Sequence, residues 1–161
     1  MNKKKIFIAI DTNKVLNAKK IIKDTQTNKI KVGYKFGLEF VYSKYGRKFL
    51  SSLKNQTIFL DLKLNDIPNT VGSAMKSLKD LKISYLTVHL SSGLSALKAI
   101  KKESKNIKIA GVTTLTSLNN RDLKEIGFNK KVNELVKPQA KLAKKAKLDA
   151  IVCSGHEIRS V

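Results

Sequence analysis

The chain has 161 residues, about the length of one domain, and its 42% hydrophobic content is enough for a sizeable core and too high for a disordered chain. The formal net charge is +21, yet only three of the 33 basic residues are arginine and aromatic residues make up 6%. Surfaces that bind nucleic acids favour arginine and stacking aromatics, so we expect no nucleic-acid partner. The single cysteine, Cys153, excludes an intrachain disulfide and is typical of a cytoplasmic protein.

The N-terminus begins with basic residues and continues into an apolar run, as a signal peptide does. The run Ile6–Ile10 has only five residues before Asp11, which is too short for a signal peptide or a membrane span. We therefore expect a first buried strand here and no membrane partner.

Short apolar runs alternate with longer lysine-rich segments along the whole chain. They predict strands at Ile6–Asp11, Lys29–Gly33, Thr57–Lys63, Ser84–His89, Ile107–Thr114 and Asp149–Cys153. The segments between them predict helices at Val15–Asp24, Phe36–Leu53, Asn69–Leu81, Ser95–Lys102 and Lys131–Lys147, with a shorter helical turn at Asn119–Ile126. This alternation predicts a parallel α/β fold in one domain over residues 1–161.

Polar residues lie within or at the ends of several predicted strands. Asp11 closes the first strand, Lys31 lies within the second, Asp61 and Lys63 close the third, and His89 ends the fourth. In a (β/α)₈ barrel, catalytic residues come from the C-terminal ends of the strands. The pattern therefore favours an active site at this end of the sheet.

The most informative stretch runs from Thr57 to Val71. Its apolar start suits a strand buried on both faces, and regular alternation would place Asp61 and Lys63 on the same side of that strand. Asp66 follows just beyond the strand, before a helix that opens at Pro68. Because buried charges must be paired, this acid–base–acid group is either an active site or a structural ion-pair network, and its position favours an active site.

Other common catalytic patterns are missing from the sequence. We find no glycine-rich phosphate loop and no Cys/His cluster with metal-ligand spacing, so we expect neither a cofactor nor a metal. Ser154 and His156 could suggest a nucleophile with its base, but they lack the nucleophile-elbow pattern. We expect His89 to be a hydrogen-bonded residue at a strand end rather than a general base.

The stretch Asp61–Thr70 resembles the hallmark of the orotidine 5′-phosphate decarboxylase family, D-x-K-x-x-D followed by I-P-N-T. Further similarities are Ile10-Asp11 after the first strand, Lys31-Val32-Gly33 after the second, and Val88-His89. The shorter pattern D-x-K-x-x-D also marks Mg²⁺-dependent sugar-phosphate decarboxylases and aldolases. A Mg²⁺-dependent enzyme of that wider group is therefore the alternative function, and a non-catalytic basic binding module is a third.

The resemblance implies removal of the C6 carboxylate of orotidine 5′-phosphate to give UMP, without cofactor or metal, in pyrimidine biosynthesis. Lys63 would protonate C6, and Asp61 would press against the departing carboxylate and hold Lys63. Lys31 and Asp11 would contact the ribose hydroxyls and extend the chain of charges. Thr116 would lie beside the pyrimidine.

The resemblance also implies a homodimer with shared active sites. Asp66, Ile67 and Thr70 would reach into the site of the neighbouring subunit. We expect such an enzyme in the cytoplasm.

The family's fold is a (β/α)₈ barrel, of which this chain would supply about the first six β/α units. Such barrels commonly have about 250 residues and bind phosphate through the loops after strands seven and eight. We expect those strands and their phosphate-binding residues to lie beyond Val161. The 161 residues alone are therefore expected to fold poorly and to be inactive.

Overall fold

The computed structural model describes residues 5–161, which form six parallel strands that alternate with helices. The strands are β1 (Lys5–Ile10), β2 (Lys31–Gly37), β3 (Thr57–Leu64), β4 (Tyr85–His89), β5 (Lys108–Val112) and β6 (Ala150–Val152). The α-helices are α1 (Val15–Asp24), α2 (Leu38–Val41), α3 (Gly46–Ser52), α4 (Pro68–Ser77), α5 (Gly93–Glu103), α6 (Asn120–Glu125) and α7 (Val132–Lys145). Two 3₁₀ turns lie at Leu90–Ser92 and Gly155–Ser160. The strand order in the sheet is β1-β2-β3-β4-β5-β6.

The predicted alternation of strands and helices is confirmed, and α1 has the predicted bounds. The prediction of one helix over Phe36–Leu53 is wrong. Phe36 and Gly37 belong to β2, and the rest of the segment contains the two short helices α2 and α3. Gly46 packs directly against the Phe40 carbonyl, where a Cβ atom would have no room, and this tight turn separates the two helices.

Residues 5–62 and 77–86 form one compact unit. β2 pairs in parallel with β1 and with β3, and alternate residues of β2 enter the core beneath the helices. Phe36, Phe40 and Phe49 pack there, with ring centroids 4.9–6.4 Å apart. The buried Tyr34 hydroxyl donates to the Ile22 carbonyl at 3.1 Å, which ties β2 to α1. A regular, well-packed sheet therefore underlies the polar residues of this unit.

Residues 63–76 and 87–161 form the second compact unit. Its core is made by apolar side chains of β4, β5 and helices α4, α5 and α7. Gly111 in β5 lies so close to Leu90 that a Cβ atom would come within 2.6 Å of the leucine side chain. Packing of this density explains why a glycine occupies the middle of a buried strand. The prediction of a single domain over the whole chain stays a prediction.

Among residues 5–161, no helix is both long enough and apolar enough to cross a lipid bilayer.

Candidate active site

A lysine–aspartate pair lies at the C-terminal ends of β2 and β3. The parallel register places Gly37 beside Asp61. Lys35 Nζ donates to Asp61 Oδ2 at 3.0 Å, and only 12% of the Asp61 side chain is exposed, compared with 31% for Lys35. Because a carboxylate with so little solvent contact requires a positive partner, Lys35 neutralises Asp61 at the end of the strands.

Lys35 was missed by the sequence analysis, which assigned the charged position on this strand to Lys31. The pattern Lys-x-Gly occurs twice, at Lys31–Gly33 and at Lys35–Gly37. The prediction that Lys31-Val32-Gly33 follows the second strand is wrong, because these residues open β2 and the strand continues to Gly37. Lys31 is exposed and lines a surface cavity with Lys5, Thr27 and Thr57.

A signal for Lys35 was present in the sequence. Val32, Tyr34 and Phe36 alternate with Lys31, Gly33 and Lys35, as in a half-buried strand. Assigning Phe36 to the following helix interrupted this alternation and shortened the predicted strand. The longer strand moves its C-terminal end by four residues, from Gly33 to Gly37.

Lys63 has an unusual backbone conformation for a strand residue. Its φ angle is +49°, in the left-handed region, which costs a non-glycine residue on the order of 1 kcal/mol or more. The Lys63 N–H donates to Thr87 Oγ1 on β4 at 2.9 Å. The strand is therefore irregular at Lys63, and the placement of its side chain on the same side as that of Asp61 stays a prediction.

The loop after β3 carries the second predicted aspartate. Asp66 is exposed, and its Oδ1 accepts the N–H of Ile67 at 2.7 Å. The preceding residue, Asn65, accepts a hydrogen bond from Ser92 Oγ at 2.8 Å. Ile67 is 65% exposed, and Thr70 is exposed on the first turns of α4. The three residues predicted to reach a neighbouring subunit thus all lie on the surface.

Two other predicted residues follow strands. Asp11 comes directly after β1 and is exposed, and Thr116 lies in the exposed part of the segment between β5 and α6. Within that segment, the N–H and the hydroxyl of Thr114 both approach Gln139 Oε1 on α7, at 2.8 and 3.3 Å. This contact holds the start of the segment against α7. His89 and Thr114 line a small cavity beside it.

The Ser154–His156 run has a structural role. Ser154 caps the final 3₁₀ turn, and its Oγ accepts the backbone N–H of His156 at 3.1 Å. Burial, together with the negative charge of Glu157, raises the pKa of the neighbouring Cys153 thiol. In residues 5–161, no three His, Cys, Asp or Glu side chains are grouped so that they could hold a metal ion.

Comparison of the sequence with known protein families identifies the family of this chain. The family described as Orotidine 5′-phosphate decarboxylase / HUMPS family matches residues 4–161 of the chain. The chain belongs to this family.

Individual members of the family are similar over nearly the whole chain. An orotidine 5′-phosphate decarboxylase of Erythrobacter litoralis is 38% identical over 162 residues, which cover 97% of this chain and 70% of that relative. The crystal structure of orotidine 5′-phosphate decarboxylase from Lactobacillus acidophilus matches with a TM-score of 0.86 and 31% identity, covering 95% of this chain and 72% of that one. The Methanocaldococcus jannaschii enzyme, complexed with inhibitor BMP, matches with a TM-score of 0.76 and 25% identity, over 94% of this chain and 68% of that one.

These similarities confirm the predicted family and the predicted fold class. The chain has the parallel β/α architecture of the orotidine 5′-phosphate decarboxylases, over about the first six units of a (β/α)₈ barrel. In this chain, D-x-K-x-x-D-I-P-N-T occupies the end of β3, the following loop and the start of α4.

Proposed function

We propose that this protein is an orotidine 5′-phosphate decarboxylase that converts orotidine 5′-phosphate to UMP in pyrimidine biosynthesis. The observation that carries the proposal is the ion pair between Lys35 on β2 and Asp61, the first residue of the D-x-K-x-x-D-I-P-N-T segment, in a member of this family. A relative in complex with inhibitor BMP supports a small-molecule substrate.

Lys63 and Asp61 carry the chemical step in this proposal. The bond between C6 and the carboxylate carbon breaks, CO₂ leaves, and the electron pair stays on C6. The Lys63 ammonium then donates a proton to C6 and becomes a neutral amine. Asp61 lies beside the departing carboxylate, where the repulsion between two negative charges is relieved as CO₂ forms. Fixed charges of this kind stabilise a transition state because they need no reorganisation during the reaction.

Lys35 takes the position in the charge array that the sequence analysis gave to Lys31. Two observations support this assignment: the 3.0 Å contact of Lys35 with Asp61, and the location of Lys31 at the opposite end of β2. Lys35 pairs with Asp61 and orients its carboxylate beside the substrate. Asp11 binds the ribose hydroxyls, and Thr116 contacts the pyrimidine.

A homodimer with shared sites is part of the proposal. Asp66, Ile67 and Thr70 are all exposed in the single chain, and a large apolar side chain such as Ile67 gains by being covered. We assign these three residues to the site of the second subunit. The cytoplasm is the proposed location, consistent with the lone cysteine.

The reaction needs neither cofactor nor metal in this proposal, which separates it from a Mg²⁺-dependent sugar-phosphate lyase. The test uses the natural gene product that contains these 161 residues. Release of labelled CO₂ from carboxyl-labelled orotidine 5′-phosphate is measured with and without excess EDTA, and with Lys63→Ala.

We expect CO₂ release that is unchanged by EDTA and at least about a hundredfold slower with Lys63→Ala, since general acid catalysis is typically worth that much. No release by the unmodified protein would refute the proposal. Loss in EDTA that Mg²⁺ restores would support the sugar-phosphate alternative. Activity of Lys63→Ala above about a tenth of the normal rate would exclude Lys63 as the proton donor.

A further inference from the structure

Thr87 is a buried polar residue that no predicted role accounts for. It lies in the middle of β4 with 1% of its surface exposed. Its Oγ1 accepts the backbone N–H of Lys63 at 2.9 Å. The contact joins a residue 24 positions away to the lysine proposed as the proton donor, so it determines how the backbone of that lysine is held.

The left-handed backbone at Lys63 gives this hydrogen bond its importance. A regular strand residue uses its N–H in the ladder with a neighbouring strand, whereas a residue with a φ angle of +49° interrupts regular strand geometry. Because buried N–H groups require an acceptor, a side-chain oxygen at the right place stabilises the irregular conformation. Thr87 supplies that oxygen from a β-branched side chain with little rotational freedom.

The position of Lys63 also differs from that of other left-handed residues. Two further non-glycine residues among residues 5–161 have positive φ angles, Lys105 and Lys147. Both follow the C-terminus of a helix, where a left-handed residue commonly ends the helix. Lys63 instead lies within a strand, where helix termination offers no explanation. Strained residues held by their surroundings are characteristic of active sites.

We propose that Thr87 is a positioning residue for catalysis: its hydroxyl holds the left-handed backbone of Lys63 and thereby fixes the Lys63 ammonium where C6 is protonated. This inference rests on the proposed decarboxylase function. Thr87 does not touch the substrate, so its loss reduces the rate of the chemical step and leaves substrate binding nearly unchanged.

Three variants of the natural gene product test the inference. Thr87→Val keeps the shape of the side chain and removes the acceptor, whereas Thr87→Ser keeps the acceptor. Thr25→Val is the matched control, because the Thr25 hydroxyl also makes a side-chain hydrogen bond, to the Ile21 carbonyl at 2.6 Å, but has no contact with Lys63. The measurements are kcat and KM for orotidine 5′-phosphate, and hydrogen exchange at the Lys63 amide by NMR.

We expect Thr87→Val to lower kcat by about ten- to a hundredfold, as a small misplacement of a reacting group does, with KM within about twofold. The Lys63 amide should exchange faster in this variant. Thr87→Ser should restore both kcat and amide protection, and Thr25→Val should leave both unchanged.

The inference is overturned if Thr87→Val has a normal kcat, or if kcat falls while the Lys63 amide stays protected. A rise in KM with a normal kcat would also contradict it, because that would assign Thr87 to substrate binding. If the unmodified protein does not decarboxylate the substrate, the proposed function fails instead. The amide measurement does not depend on activity and still reports whether Thr87 holds Lys63.

Discussion

Two lysine–aspartate pairs of this protein are alike in geometry and differ in where they lie. Lys35 contacts Asp61 at 3.0 Å, and Lys101 contacts Asp149 at 2.6 Å. The exposed fractions of the two lysine side chains are 31% and 28%. The first pair lies at the C-terminal ends of β2 and β3. The second lies before β6 begins, where Asp149 also accepts the Ile109 N–H of β5 at 2.8 Å.

The two pairs therefore differ in the end of the strands at which they lie, and also in the exposure of their aspartates, 12% for Asp61 and 29% for Asp149. In β/α barrels, residues at the C-terminal ends of the strands carry out the chemistry, and those at the opposite ends stabilise the fold. Lys101–Asp149 ties α5 to the starts of β5 and β6 and has the contacts of a structural pair. Lys35–Asp61 joins the C-terminal ends of β2 and β3, the ends to which the proposed active site is assigned.

The largest expected effect comes from breaking the pair at the C-terminal ends. Lys35→Ala should lower kcat/KM by about a hundredfold or more, because the largely buried Asp61 carboxylate loses the positive partner that orients it. Lys31→Ala is the matched control on the same strand, and it should change kcat/KM by less than about twofold, since surface substitutions away from a site are nearly neutral. Steady-state kinetics of both variants with orotidine 5′-phosphate measure the two values of kcat/KM. Equal losses in the two would mean that the ends of β2 do not differ in function.

The second prediction concerns the proposed site at the C-terminal ends alone, and asks whether one chain completes it or two subunits share it. An inactive Lys63→Ala protein and an inactive Asp66→Ala protein should regain activity on mixing, because a hybrid dimer contains one site with both residues intact. With free exchange, half of the dimers are hybrids with one working site in two, so about a quarter of the normal activity should return. Subunit exchange without recovered activity would contradict shared sites.

The smallest effect is expected at the structural pair and concerns stability alone. Asp149→Ala should lower the free energy of unfolding by about 1–2 kcal/mol, through loss of the bonds from Lys101 and Ile109, without changing kcat. Asp80→Ala is the control, because its pair with Arg47 is largely exposed and should be worth less than about 1 kcal/mol. Urea unfolding of the three proteins measures both values.

The pH dependence of this effect follows from the pKa of Asp149. Burial raises the pKa of its carboxyl, but the hydrogen bonds from Lys101 and Ile109 and the nearby positive charges outweigh burial, so the pKa lies below its ordinary value. The stabilisation is therefore complete above about pH 4, the unfolded pKa, and is lost as the pH falls through the lower folded pKa. The difference in the free energy of unfolding between the unmodified protein and Asp149→Ala should shrink in this pH range. A difference that stays constant with pH would contradict the assignment of Asp149 to a structural ion pair.

Much of the fold could be predicted because many of its strands and helices follow from short patterns of neighbouring residues. The apolar run at Ile58–Leu60 and the amphipathic pattern of α1 each depend on neighbouring residues, and both elements were found. The motif also located Asp61 and Lys63. Short patterns fail where two similar stretches compete, as at Lys31 and Lys35, since only the length of β2 distinguishes them.

Other parts of the site depend on contacts that sequence patterns do not contain. The left-handed backbone of Lys63 is invisible in the sequence, because lysine has no preference for that conformation. Its acceptor, Thr87, is 24 residues away and looks like an ordinary β-branched residue of a buried strand. The hydrogen bond between Lys63 and Thr87 can therefore be identified only from the three-dimensional structure.

The left-handed conformation of Lys63 also sets activity against stability. Glycine adopts a φ angle of +49° without a steric penalty, so Lys63→Gly would relieve strain worth on the order of 1 kcal/mol while removing the proposed proton donor. Selection for a more stable fold would favour glycine at this position, and selection for the reaction retains lysine. Under the proposed role, position 63 is a place where the protein has evolved to tolerate a locally unfavourable backbone for the sake of turnover.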